Sequence, residues 1–132
     1  MGTVGYLLDT HTFLWAARNS VKLSESAKNA LYDKDVKKFV SAASAYEIMN
    51  KYRLNKLPEY TYVAKNFFEI VQNLGAYELP INLKHANFAG EFEWSHRDPF
   101  DRLLAAQAFT ENLVLITNDT AFDSLPWLNT TF

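Results

Sequence analysis

Four apolar segments of this chain stop on a carboxylate: V-G-Y-L-L-Asp9, K-F-V-S-A-A-S-A-Y-Glu47, H-R-D-P-F-Asp101 and L-V-L-I-T-N-Asp119. Each acid falls where a hydrophobic strand, or its connection, gives way to a helix. In an open parallel α/β sheet such positions lie outside the carboxyl ends of the strands, where ligands bind. Acids scattered through the sequence can therefore meet in space. Carboxylates sharing a pocket repel one another and raise their own pKa values unless a cation joins them. Oxygen-only donors favour a hard divalent ion such as Mg²⁺ or Mn²⁺.

Each acid also has a purely local explanation. Asp9 is a good N-cap for a helix carrying Phe13, and a cap and a ligand can be one residue. Glu47 in a first helical turn is favoured by the helix dipole alone. Its neighbours Ala43, Ala45, Tyr46 and Ile48 nevertheless predict burial, and a buried Glu needs a partner or an ion. Asp98 before Pro99 has the pattern of an N-cap, which explains it fully. Asp101, at the third helical position, is then the better ligand, with Asp98 joining at most through water. Asp119 follows Asn118 in a turn-forming pair, and Asp123 reads as surface charge. Thr10 and Thr117 are the hydroxyls nearest the acids, suited to holding a bound water or a ligand side chain, or to finishing backbone hydrogen bonds at strand ends. His11, His85 and His96 share no metal-ligand spacing and no local nucleophile. The glycines number only four, all scattered, so no phosphate loop exists.

The elements that must position these residues follow from periodicity. Val4 to Leu8 reads as a strand buried on both faces, with Phe13 to Ala17 opening a buried helix. Ser24 caps an amphipathic helix to about Asp33. Lys37 to Ser41 is a second strand, and Ser44 is the expected N-cap of a helix carrying Tyr46, Ile48, Met49 and Tyr52, closed by Pro58. Tyr60 to Leu74 has the spacing of one long amphipathic helix stopped by Gly75. Tyr77 to Ile81 is an edge strand or a strand end, because of Pro80. Leu83 to Trp94 is helical, with Ala86, Phe88, Ala89 and Phe92 inward. Phe100 to Phe109 is the clearest helix, Leu113 to Thr117 a fourth strand, and Trp127 to Thr131 a short fifth. Strands alternating with helices predict a mostly parallel sheet covered on both faces. No linker or repeat interrupts residues 1–132, so a single domain is expected.

Composition narrows the classes. At 132 residues, 48% apolar and 21% charged, the chain fits one ordinary globular domain. A net charge of −2 gives no global nucleic-acid signature, although a metal site can neutralise phosphate locally while its ligands lower the net charge. The absence of cysteine excludes disulfides and thiolate-ligated zinc. No apolar run approaches the ~18 residues of a membrane span, and the N-terminus lacks a signal-peptide pattern. A soluble cytoplasmic protein is expected.

L-L-D-T-H-T-F-L-W, S-A-A-S-A-Y-E-I, H-R-D-P-F-D-R-L-L-A-A-Q-A and L-I-T-N-D-T-A-F, in this order, resemble the PIN-domain ribonucleases. More narrowly they resemble the VapC-type toxins of toxin–antitoxin pairs. The resemblance spans nearly the whole chain. It implies a three-layer α/β/α sandwich with four to five strands, and Asp9, Glu47, Asp101 and Asp119 as the quartet that binds Mg²⁺ or Mn²⁺. It also implies RNA as substrate, cut by metal-activated water, with a cognate antitoxin as partner. A homodimer, and a higher toxin–antitoxin complex, would be the assemblies. Tyr46 stands where many relatives carry Trp, and E-F-E-W before His96 departs from the usual stretch. Lys51, Arg53, Arg97 and Arg102 are the basic residues nearest the acids and the candidates for RNA phosphates, each with a solvated or paired role as the alternative.

Two other classes compete. Phospho-accepting receivers want adjacent acids after the first strand, and dehalogenase-like phosphatases want a second aspartate where this chain has His11. A non-catalytic module that docks RNA or protein would use the Tyr60 to Leu74 helix and the abundant aromatics.

Overall fold

The computed structural model describes residues 5–56 and 58–132. Strands β1 (Gly5–Leu8), β2 (Lys37–Ser41), β3 (Tyr77–Leu79), β4 (Leu113–Ile116) and β5 (Thr130–Thr131) form one sheet in the order β3-β2-β1-β4-β5. Every pairing is parallel. Val4, the expected first strand residue, lies outside the described residues. The helices are α1 (Thr10–Ala17), α2 (Glu25–Leu31), α3 (Ala42–Arg53), α4 (Thr61–Lys65), α5 (Phe67–Asn73), α6 (Leu83–Glu91) and α7 (Pro99–Thr110).

Strand alternation sorts the core into two layers. Leu7 pairs in register with Phe39 and Leu115, and this row faces α7 with Leu104, Ala105 and Ala108. Leu8 pairs with Val40 and Ile116, and that row faces Phe13, Leu14, Leu31, Ile48, Val63 and Ile70 of helices α1 to α5. Both faces of the central strand are thus covered, which is why its sequence is a nearly unbroken apolar run. The result is the expected α/β/α sandwich. Gly5 is required by close approach, since a Cβ there would collide with the Lys37 carbonyl oxygen of β2.

Several boundaries differ from the sequence expectation. Ser41, not Ser44, caps α3, its hydroxyl accepting the Ala43 N–H at 2.9 Å. Ser44 is fully buried and hydrogen-bonds the Thr10 hydroxyl at 3.0 Å. The helix ends at Arg53, well before Pro58, with Asn55 in the left-handed region at φ 59°. The long helix over 60–74 is broken at Asn66, whose side chain donates to the Tyr62 carbonyl at 2.9 Å and whose backbone leaves helical values at φ −126°. A short amide competing for backbone partners overrides the apolar period there. Gly75, at φ 68°, stops α5 as expected.

The third strand is shorter than expected and lies at the sheet edge, consistent with Pro80. The Leu83 helix stops at Glu91, and Ala86 is exposed. His85 takes the inward place, completing a capping box with Asn82 and hydrogen-bonding Glu111 at 2.7 Å. Of the fifth strand only Thr130–Thr131 pairs.

Candidate metal centre at the carboxyl ends of the strands

Asp9 leaves β1 and caps α1, with Oδ1 accepting the Thr12 N–H at 2.7 Å. Its Oδ2 accepts from the hydroxyl of Thr117, the residue after β4. Asp9 is 6% exposed, and burial pushes its pKa up from the ordinary carboxylate range; the hydrogen bonds from Thr117 and Thr12 and the nearby His11 offset part of the rise. The ends of β1 and β4 are further tied by the Asp9 N–H and the Thr12 hydroxyl, which both donate to the Ile116 carbonyl, at 3.2 and 2.7 Å. The cap, the strand end and the candidate ligand are therefore one residue.

Thr117 brings a second acid to the same place. Its hydroxyl oxygen accepts the Asp119 N–H at 3.0 Å. Asp119 itself is exposed, and its carboxylate caps the 3-10 turn Thr120–Ser124 through the Ala121 N–H at 2.9 Å. The turn role expected of this residue holds, and it leaves the other carboxylate oxygen without a protein partner among the described residues.

Asp98 caps α7, accepting the N–H groups of Phe100 at 2.9 Å and Asp101 at 3.3 Å. Asp101, one turn inside, has its pKa pushed up to about 6. Burial is the main cause, and the negative charges of Asp98 and Asp119 add to it, against a hydrogen bond and an attraction from His96. Asp119 and Asp101 thus lie within electrostatic reach of each other.

Glu47 sits on α3, 6% exposed, with Lys51 one turn on at 2.5 Å. Two contacts bring α3 to the other acids. The Ser44–Thr10 hydrogen bond joins it to the residue after Asp9, and the rings of Tyr46 and Phe100, neighbours of Glu47 and Asp101, lie 5.8 Å apart. Thr10 therefore holds α3 against α1, while Thr117 holds two acids directly.

Among the described residues the one cluster of three or more possible ligand residues is a different one, and of the expected quartet it holds Asp101 alone. Atoms of His96, Asp98 and Asp101 all lie within 4.8 Å of one another. His96 has no metal-ligand spacing in the sequence, yet its Nε2 is 2.6 Å from Asp101 Oδ2. Its only sequence signal is a place two residues before the cap of the helix that carries Asp101.

The basic residues divide. Arg97 is exposed in the loop before α7, and Arg53 is exposed and donates to Asn50 at 2.6 Å. Lys51 is engaged by Glu47. Arg102 is engaged within the fold: its guanidinium donates to the carbonyls of Ala89, Phe92, Trp94 and His96 and lies 4.3 Å from the Phe92 ring centroid. A fork with five N–H donors is spent there on holding the loop between α6 and α7.

The donor set fits a hard divalent ion. Asp9, Glu47, Asp101 and Asp119 offer only oxygen, and no lysine or arginine ion pair among the described residues involves Asp9, Asp98, Asp101 or Asp119. At Asp101 burial, with the charges of Asp98 and Asp119 added, outweighs the help from His96, and a cation there would offset the difference.

Residues 6–128 match the model of the PIN domain, and the chain belongs to that family. Its fold is shared with solved chains of low identity. The chain is similar to one in the DNA-bound VapBC structure from Salmonella typhimurium, with 16% identity, a TM-score of 0.70 and 97% of each chain covered. A chain of VapBC2 from Rickettsia felis, bound to a DNA fragment from their promoter, aligns at 20% identity and TM-score 0.68 over 96% of each. A toxin–antitoxin complex from Klebsiella pneumoniae gives 17%, 0.62 and 97% of each. No curated protein sequence matches the chain.

Proposed function

We propose that this PIN domain is a metal-dependent endoribonuclease, the toxin of a toxin–antitoxin pair, with Asp9, Glu47, Asp101 and Asp119 holding Mg²⁺ or Mn²⁺. The observation that carries the reading is the Thr117 hydroxyl bridging Asp9 and the Asp119 backbone, with Asp101 close enough to Asp119 to feel its charge. Each of these acids also has a local structural role, and a shared cation would give Asp9, Glu47, Asp101 and Asp119 a common one. The fold shared with chains of VapBC and toxin–antitoxin complexes supports a cognate antitoxin as partner.

A bound divalent ion would supply the charge to neutralise the scissile phosphate and lower the pKa of an attacking water. The protein's share is positional. Thr12 and Thr117 fix both oxygens of Asp9, so its carboxylate presents a set orientation. Burial of Asp9 and Glu47 keeps water from screening them. Lys51 neutralises Glu47 when no ion is present. Arg97 and Arg53, both exposed, would meet flanking phosphates of an RNA strand. No side chain here serves as nucleophile, and none is required.

An antitoxin segment would find apolar surface between α3 and α5, where Ala45, Phe67, Phe68 and Val71 line a groove and Phe68 is 84% exposed. A homodimer is the expected assembly. Among the described residues no helix is long and apolar enough to cross a membrane, and the cytoplasm is the proposed location.

The test is cleavage of tRNA and mRNA pools with Mn²⁺ or Mg²⁺, against EDTA and Asp9→Asn. Metal-dependent cutting that Asp9→Asn abolishes supports the reading. Undiminished activity in Asp9→Asn, or in EDTA, sinks it. Tight RNA binding with no cutting under any metal would favour the binding module instead.

A further inference from the structure

We infer that His96 is a positioning residue, holding the Asp101 carboxylate in the orientation that receives the divalent ion. The inference rests on the reading of Asp101 as a ligand.

Asp101 stands at the third position of α7, from which a side chain ordinarily reaches back to the N–H of the cap residue. The corresponding residue of α6, His85, does this to Asn82. Asp101 does not. Its Oδ2 turns to His96 Nε2 at 2.6 Å, a short hydrogen bond. The choice matters because the two orientations differ in what the carboxylate faces. Bound to its own cap, it would be spent on α7; bound to His96, it keeps Oδ1 without a protein donor among the described residues.

The imidazole is itself held from two sides. The Arg102 guanidinium donates to the carbonyls of Trp94 and His96, at 3.4 and 3.5 Å, fixing the backbone of the loop. The Trp94 ring lies 4.7 Å from the His96 ring and donates its indole N–H to Ser124 at 2.9 Å. Ser124 ends the 3-10 turn that Asp119 caps. The same loop therefore reads the position of Asp119 through Trp94 and sets that of Asp101 through His96. A histidine donating to a carboxylate ligand is a common outer support of metal sites, and its loss costs about 10–100-fold in metal affinity or activity.

The experiment compares wild type, His96→Ala and His96→Gln, the last keeping an amide N–H where Nε2 stands. Mn²⁺ binding is measured by calorimetry on the metal-free protein, alongside single-turnover RNA cleavage and melting in EDTA. Wild type and His96→Gln should bind Mn²⁺ with similar affinity, and His96→Ala about 10–100-fold more weakly. Its cleavage defect should fall on kcat at saturating RNA, with KM for RNA little changed. Equal or tighter Mn²⁺ binding by His96→Ala overturns the inference, because the imidazole would then be idle or in the ion's way. A folded His96→Gln as weak as His96→Ala overturns it too, pointing to His96 as a direct ligand. Failure of wild type to bind Mn²⁺ at all is a distinct result, removing the metal reading and this inference with it.

Discussion

Thr117 donates its hydroxyl hydrogen to Asp9 across 108 residues of chain, joining the ends of β1 and β4 at the candidate metal centre. The same oxygen accepts the Asp119 N–H at 3.0 Å. Replacing it by Val keeps the shape and removes both bonds, stranding a buried carboxylate oxygen. Thr117→Val should cost roughly 1–3 kcal/mol, the range for leaving a buried polar group unpaired, and should lower cleavage. Thr117→Ser should retain most of both. Urea unfolding with parallel cleavage assays would check this, and equal stability of the two variants would show the hydroxyl to be dispensable.

The pair Asp98 and Asp101 should separate structure from chemistry. Asp98 caps α7 through two backbone N–H groups, so Asp98→Ala should lose about 1 kcal/mol and keep substantial activity. Asp101→Ala should abolish cleavage while leaving the fold intact. Should Asp98→Ala prove the more damaging to catalysis at unchanged stability, the two roles are reversed.

The pKa of Asp101 gives a pH prediction with a definite sign. In the folded protein it lies at about 6, against the ordinary 3.8. Between these values the folded state holds more protons than the unfolded one, so metal-free stability falls as pH rises through that window. Asp101→Asn removes the charge while its amide oxygen can still accept from His96. In EDTA it should melt a few degrees above wild type at pH 7.5, on the scale of roughly 4 °C per kcal/mol for a domain this size. The gap should close toward pH 4.5. Added Mn²⁺ should stabilise wild type more at pH 7.5 than at pH 5, since protons compete with the ion. A gap independent of pH would show that the charge of Asp101, disfavoured mainly by burial, is not its cause.

Glu47 and Lys51 form the one lysine–carboxylate ion pair among the described residues, at 2.5 Å with side chains 7% and 34% exposed. Lys51→Met would leave the buried carboxylate without its cation. Because Lys51 is partly solvated, the metal-free loss should be about 1–2 kcal/mol, between the values for exposed and buried pairs. Mn²⁺ should then bind more tightly, its competitor for Glu47 being gone. Calorimetric titration of the variant decides the matter, and weaker binding would mean that Lys51 helps to present Glu47 rather than to occupy it.

How far these features could be read from the chain depended on their range. The sandwich was legible because β1 and β4 are short apolar runs followed by polar turns, a pattern set within a few residues. Asp9, Ser24 and Asp98 were legible as caps for the same reason. The break at Asn66 was not, because the apolar spacing of Val63, Ile70 and Leu74 continues through it while the side chain bonds Tyr62 instead. Ser44 looked like a cap because the polar residue that caps, Ser41, was also the end of a strand. The contacts of His96 and Arg102 were not legible, because their partners are set largely by the path of the 92–98 loop, and local period carries no record of that path.

Thr12 and Ile116, 104 residues apart, add a second tie between the two strands beside the acids. A chain emerging from its N-terminus carries Asp9 early, yet the strand that must flank β1 comes near the end. Contacts this distant in sequence are slow to form and come only with the whole topology. Whatever chemistry Asp9 performs therefore has a built-in delay. The environment that Asp9 needs is complete only once β4 has paired with β1.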